Sequence, residues 1–329
     1  MKQKVAFITG IPGQAASYLA DLLLEKKYKV VAMMRRNSNR NLENIAHLLN
    51  NTDFLLEEGN MQDSASLWNL LSKHQPDEIY NMAAQSHVHT SFQVSEETVD
   101  VVGLGTLRLL NAYKELCPKA VFIQASTSEM FGENTETPQN ESSKMLPASP
   151  YACAKLMAHN LCRNYRASYG LNISTMIMHN YESTRRAENF VTRKITLAAC
   201  RIKMGLQNEL KLGNVHAKRD WGYAPDYMKA CWLTAQQSTG DDYLVATGET
   251  HSVQEFLEEV FNLAGLDIDK YVKIDSSLFR PQEVPLLLGD SSKIRNKLGW
   301  KPTITFKEMV REMYDSDWNK VVKERNQTK

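Results

Sequence analysis

Six short apolar runs mark the first 180 residues of the chain: Lys4–Thr9, Val30–Met34, Phe54–Leu56, Asp77–Asn81, Ala120–Ala125 and Asn172–Met178. They lack the polar alternation of a half-exposed strand and read as strands, the first buried on both faces of a parallel sheet. Helical spacing fills the gaps. Tyr18, Leu19, Leu22 and Leu23 recur along one face after a glycine turn, Asp63 stands where a helix cap belongs, and a long helical pattern runs from about Ser91 to Leu116. Strand and helix in regular succession predict an α/β fold, a doubly wound, Rossmann-like parallel sheet. Beyond residue 180 the pattern is less regular, with helix-like pieces at Ala187–Leu206, Pro225–Gln237, Val253–Ala264 and Phe306–Asp317. The chain therefore divides into residues 1–180 and a smaller α/β part, residues 181–329, with some interleaving. The tail after Lys320 reads as disordered.

Composition removes several classes of function. With 329 residues the chain can bury a full core. Lys and Arg number 39 against 38 Asp and Glu, so no net basic field points to nucleic acid or an acidic membrane surface. The five cysteines are scattered and odd in number, which favours reduced thiols over a disulfide framework, and neither they nor the eight histidines are spaced like metal ligands. His87 and His89 read as loop polar groups. Met1-Lys2-Gln3-Lys4 leads directly into the first strand without a signal-peptide pattern, and no apolar stretch has the length of a membrane span. The expectation is a cytoplasmic protein without a metal.

The candidate chemistry lies where strands end. Gly10-Ile11-Pro12-Gly13-Gln14-Ala15-Ala16 joins the first strand to a helix, the context in which backbone amides meet a pyrophosphate, although the same glycines serve a plain tight turn. The second strand ends in Arg35-Arg36-Asn37-Ser38; arginine suits a 2′-phosphate where an acidic residue would suit a ribose diol, which points to NADP, the other reading being an ordinary basic loop. Small residues in Met82-Ala83-Ala84-Gln85-Ser86 let a ligand approach the backbone. The fifth strand ends in Ser126-Thr127-Ser128-Glu129, and Tyr151 and Lys155 lie four apart on one helix face. A lysine cation beside a phenol lowers its pKa and readies it to take a proton. A Tyr–Lys pair is common by chance, and Thr127 and Glu129 read equally as solvated loop residues; the order of glycine turn, hydroxyl–carboxylate cluster and tyrosine helix is what is rare. Basic positions at Arg185-Arg186, Lys194, Lys218-Arg219 and Arg280 are surface charge or, as a set, a site for a diphosphate-bearing ligand.

These motifs together resemble the extended short-chain dehydrogenase/reductases. Asn189-Phe190-Val191-Thr192-Arg193-Lys194, Leu212-Gly213-Asn214, Ala217-Lys218-Arg219-Asp220-Trp221-Gly222 and Arg280-Pro281-x-Glu283-Val284 resemble, within them, the GDP-mannose 4,6-dehydratases, over nearly the whole chain. The resemblance implies loss of water from GDP-mannose through an internal hydride cycle on NADP. Tyr151 would take the 4-hydroxyl proton, Glu129 would remove the C5 proton and assist departure of the C6 hydroxyl, Thr127 would bond the 4-oxygen, and Lys155 would hold the nicotinamide ribose. It implies an NADP site at Gly10, Ile11, Pro12, Gly13, Gln14 and Ala15, at Arg35, Arg36, Asn37 and Ser38, at Asn60 and Met61, at Met82, Ala83, Ala84, Gln85 and Ser86, and at Lys155, Tyr181 and Arg186. The GDP-sugar would face Ser86, Asn180, Asn189, Lys194, Arg219, Arg280 and Glu283, and the family's habit is a homotetramer. Ala15-Ala16, Asn60, Glu97, Tyr181 and Thr184 depart from the family pattern around the cofactor, Glu97 by putting a carboxylate near a polyanion. Two other readings accommodate the residues: a dehydratase of another GDP-sugar such as a GDP-heptose, and a non-catalytic nucleotide-sugar-binding partner.

Overall fold

A computed structural model describes residues 2–36, 41–134 and 136–327. Six strands in chain order, β1 (Val5–Thr9), β2 (Lys29–Met34), β3 (Phe54–Glu58), β4 (Glu78–Asn81), β5 (Val121–Thr127) and β6 (Ile173–Met178), form one parallel sheet. A seventh strand, Asp242–Val245, comes from the second half of the chain and pairs with β6. The order across the sheet is Asp242–Val245, β6, β5, β4, β1, β2, β3. The order reverses beside β1, which opens a crevice at the carboxyl ends of β1, β4 and β5.

Successive residues of each strand enter opposite cores. Ala6 and Ile8 of β1 pack with the helix Gln14–Glu25 and with Met228 and Cys231, whereas Phe7 packs on the other side with Leu67, Leu71, Leu109 and Tyr113. Both faces are dry, and this is why the strands read as unbroken apolar runs. A third apolar cluster binds the helices Val191–Lys203, Val253–Ala264 and Phe306–Gln327 into the C-terminal lobe.

The helix starts follow their caps. Asp63 accepts from the amide of Ala65, and Ser149 accepts from the amide of Ala152 just ahead of Pro150, which opens the 20-residue helix Pro150–Tyr169. Two sequence expectations need correction. The helical run from Ser91 to Leu116 is broken: Val94 leaves helical dihedrals between Val88–Gln93 and Ser95–Val99, and a π-helical turn at Asp100–Leu104 precedes Gly105–Leu116. The tail is not disordered up to Gln327. The last helix continues there because Val321 is buried and Lys320 bonds Glu188 at 2.9 Å, contacts that its polar composition hides.

Candidate active site

The carboxyl ends of β1, β4 and β5 are tied together by buried side chains. Thr9 Oγ1 donates to Asn81 Oδ1 at 2.8 Å and accepts from the amides of Met82 and Ala83 at 3.0 Å. Asn81 Nδ2 in turn donates to Gln124 Oε1 at 2.8 Å. These bonds hold the glycine turn against the exit loop of β4. Gly10 adopts φ +88°, and a Cβ there would lie 2.8 Å from the Ala83 amide nitrogen. Only glycine fits both constraints. Gly13 precedes Gln14–Glu25 with no side-chain cap and no acidic residue in the first turn, so the helix start retains free amides and a positive dipole end suited to an anion.

One cavity of about 620 Å³ runs along this edge into the C-terminal lobe. The glycine turn reaches it through Gly10, Ile11, Gly13, Gln14 and Ala15, and the strand exits through Arg35, Asn60 and Met61 and the whole of Met82–Ser86. Thr127, Glu129, Tyr151 and Lys155 border it, with Asn180, Tyr181 and Arg186 beyond them. Asn189, Lys194, Arg219, Arg280 and Glu283 close the far side. Pro12 and Arg36 lie off the lining; Arg36 pairs instead with Glu58 at 3.1 Å. Asn37 and Ser38 fall outside the described residues.

The four catalytic candidates are all buried. Burial pushes the Tyr151 phenol above its ordinary value; Tyr181 and Glu129 add to this, and the Thr127 hydroxyl and Arg186 oppose it. The expectation that Lys155 lowers this phenol is not met. Its Nζ donates to the Ala125 carbonyl at 2.6 Å and stands 5.9 Å from the centroid of the Tyr151 ring, and burial pulls its own pKa down to about 8. An ammonium held on a backbone carbonyl, away from the phenol oxygen, does not offset the loss of water around the phenol.

Glu129 is held by cations from the other lobe. Its Oε1 lies 3.7 Å from Arg219 Nε and 3.7 Å from Arg280 Nη1, and its amide donates to Thr127 Oγ1 at 3.3 Å. Arg219 is anchored by donating to the Val284 carbonyl at 2.8 Å, and Glu283 accepts from the Arg280 amide at 3.1 Å. The two arginines expected to face a diphosphate thus also neutralise the carboxylate.

Three lining histidines carried no role in the sequence reading. His87 caps Val88–Gln93 by accepting from the Thr90 amide, and His89 packs edge-on against it. His179, just past β6, is 1% exposed, and neither ring nitrogen has a protein partner; burial holds its pKa low, with Asp220 opposing. A histidine directly after the apolar run Met176-Ile177-Met178 was the available signal. Among the described residues no cluster of three or more His, Cys, Asp or Glu side chains could hold a metal, and no helix is long and apolar enough to cross a membrane.

A sequence model of the family described as GDP-mannose 4,6 dehydratase matches residues 7–313. The chain is 48% identical over 325 residues to GDP-mannose 4,6 dehydratase 1 of Arabidopsis thaliana, covering 96% of this chain and 90% of that protein. It is 44% identical over 340 residues to the Homo sapiens GDP-mannose 4,6 dehydratase, covering 96% and 91%. Among solved structures, dTDP-glucose 4,6-dehydratase from Bacillus anthracis str. Ames in complex with NAD superposes with a TM-score of 0.85 at 19% identity, over 98% of both chains.

Proposed function

The chain belongs to the GDP-mannose 4,6-dehydratase family, and from that premise we propose how its own residues carry out the reaction: loss of water from GDP-mannose to give GDP-4-keto-6-deoxy-mannose. The enzyme is a hydro-lyase that uses a nicotinamide cofactor. NADP is the form the arginine after β2 favours, since a guanidinium matches a phosphate. The amides at the start of the helix Gln14–Glu25 and the small-residue loop Met82–Ser86 suit such a cofactor, with Asn60 and Met61 at its adenine end and Lys155 at its nicotinamide ribose. When bound, the nicotinamide would accept a hydride and return it.

Tyr151 takes the proton of the sugar 4-hydroxyl as C4 is oxidised, and Thr127 hydrogen-bonds the 4-oxygen. The new carbonyl acidifies C5–H. Glu129 removes that proton and delivers one to the C6 hydroxyl, which departs as water and leaves a C5–C6 double bond; the hydride taken from C4 would return to C6 while C5 takes a solvent-derived proton from the Glu129 side, which completes the 4-keto-6-deoxy sugar. Two proton transfers at different carbons need two groups, and a buried phenol and carboxylate along one cavity supply them. Asn180, Asn189, Lys194, Arg219, Arg280 and Glu283 receive the GDP-sugar. A homotetramer in the cytoplasm is the proposed setting.

The observation that carries this reading is the convergence of Thr127, Glu129, Tyr151 and Lys155 on the cavity that also contains the glycine turn. Mass spectrometry of the product formed from GDP-mannose in heavy water tests it. The expected product has lost water and carries a solvent deuteron at C5. Recovery of unchanged GDP-mannose, or of a 4-keto product without deuterium at C5, overturns it.

A further inference from the structure

We propose that Glu97 tunes the choice between NADP and NAD by competing with the 2′-phosphate for Arg35. The proposal rests on the cofactor reading above and adds to it a residue that opposes the phosphate. Glu97 lies on the short helix Ser95–Val99, Arg35 directly follows β2, and both line the cavity. Arg35 Nη1 stands 3.5 Å from Glu97 Oε1. The neighbouring charges are otherwise engaged: Asp100 is paired with Arg108 at 2.8 Å, and Arg36 is turned to Glu58. Among the described residues, Glu97 is the carboxylate paired with Arg35.

A guanidinium already paired with a carboxylate is a poorer phosphate receptor than a free one. For the 2′-phosphate to take Arg35, the ion pair must open, and NADP binding carries the cost of that lost pairing. NAD makes no such demand, because its 2′-hydroxyl leaves Arg35 and Glu97 paired. The contact works against NADP and leaves NAD untouched, so it narrows the discrimination that Arg35 alone would give. The pair is open to solvent, with side-chain exposures of 68% and 44%. Exposed pairs of this kind correspond to about a two- to fivefold change in affinity.

Dissociation constants for NADP and NAD, measured by titration calorimetry on the full chain, its Glu97→Gln and Arg35→Ala variants and the double variant, test this. Glutamine keeps the shape and removes the charge, and the exposure of both side chains keeps the fold out of question. Glu97→Gln should tighten NADP, leave NAD unchanged and raise the preference for NADP about two- to fivefold. In the Arg35→Ala background the same change should do nothing. The proposal is overturned if Glu97→Gln leaves the preference unmoved, if it tightens both cofactors equally, or if its effect persists without Arg35. Should Arg35→Ala lower the preference for NADP while Glu97→Gln does not raise it, the competition is refuted and the 2′-phosphate reading stands. If Arg35→Ala leaves the preference unchanged, both fall.

Discussion

Lys155 is charged at neutral pH inside a site that disfavours its charge, and replacing it should expose a conflict between stability and function. Burial lowers its pKa from 10.5 to about 8. At about 1.4 kcal/mol per tenfold change in the proton equilibrium, that drop corresponds to about 3 kcal/mol of destabilisation of the charged form. Below pH 8 the side chain is protonated in both folded and unfolded states, and the whole cost is present. Between pH 8 and 10.5 the folded protein releases the proton before the unfolded chain does, so stability rises with pH; about 2 kcal/mol of the rise falls between pH ~7 and ~9.5. Lys155→Met removes the cost and also the bond to the Ala125 carbonyl, whose loss gives back about 1–2 kcal/mol. Urea unfolding of the two proteins at pH 7 should show the variant more stable by about 1–2 kcal/mol. At pH 9.5 the order should close or invert, while turnover of GDP-mannose is lost throughout. Parallel stability–pH curves for the two proteins, or a variant clearly weaker at pH 7, would refute the premise that burial of the ammonium dominates.

Other outcomes follow from single contacts. Because burial raises the Tyr151 phenol, the phenolate that accepts the 4-hydroxyl proton becomes scarcer as pH falls, so kcat/KM for GDP-mannose should rise with pH across the neutral range; a profile that falls instead assigns the first proton transfer to another group. Gly10→Ala combines positive φ with a clash against the Ala83 amide, and should cost about 1–3 kcal/mol in thermal unfolding and weaken cofactor binding in titration. Asp317→Ala strands Arg193, whose Nη2 lies 2.6 Å from the Asp317 carboxylate in a buried pair, and should destabilise the C-terminal lobe by about 3–5 kcal/mol in urea.

The positions of the strands, the cap at Asp63 and the shared face of Tyr151 and Lys155 were legible in the chain itself. Each depends on residues a few positions apart, where periods of 2 and 3.6 turn composition into direction. The glycine turn was legible for the same reason, as a local backbone constraint between a strand and a helix. The seventh strand of the sheet, the two arginines on Glu129, the turning of Lys155 to the Ala125 carbonyl and the pairing of Arg35 with Glu97 were not. These contacts join residues far apart in the chain, and which of several charges meets a given partner depends on how the crossovers stack the two lobes. The phenol's raised pKa belongs with them, because burial is a property of everything packed around a group. Spacing along the sequence names the groups available for chemistry; the dielectric and the neighbours that tune them exist only once the sheet is closed over by its helices.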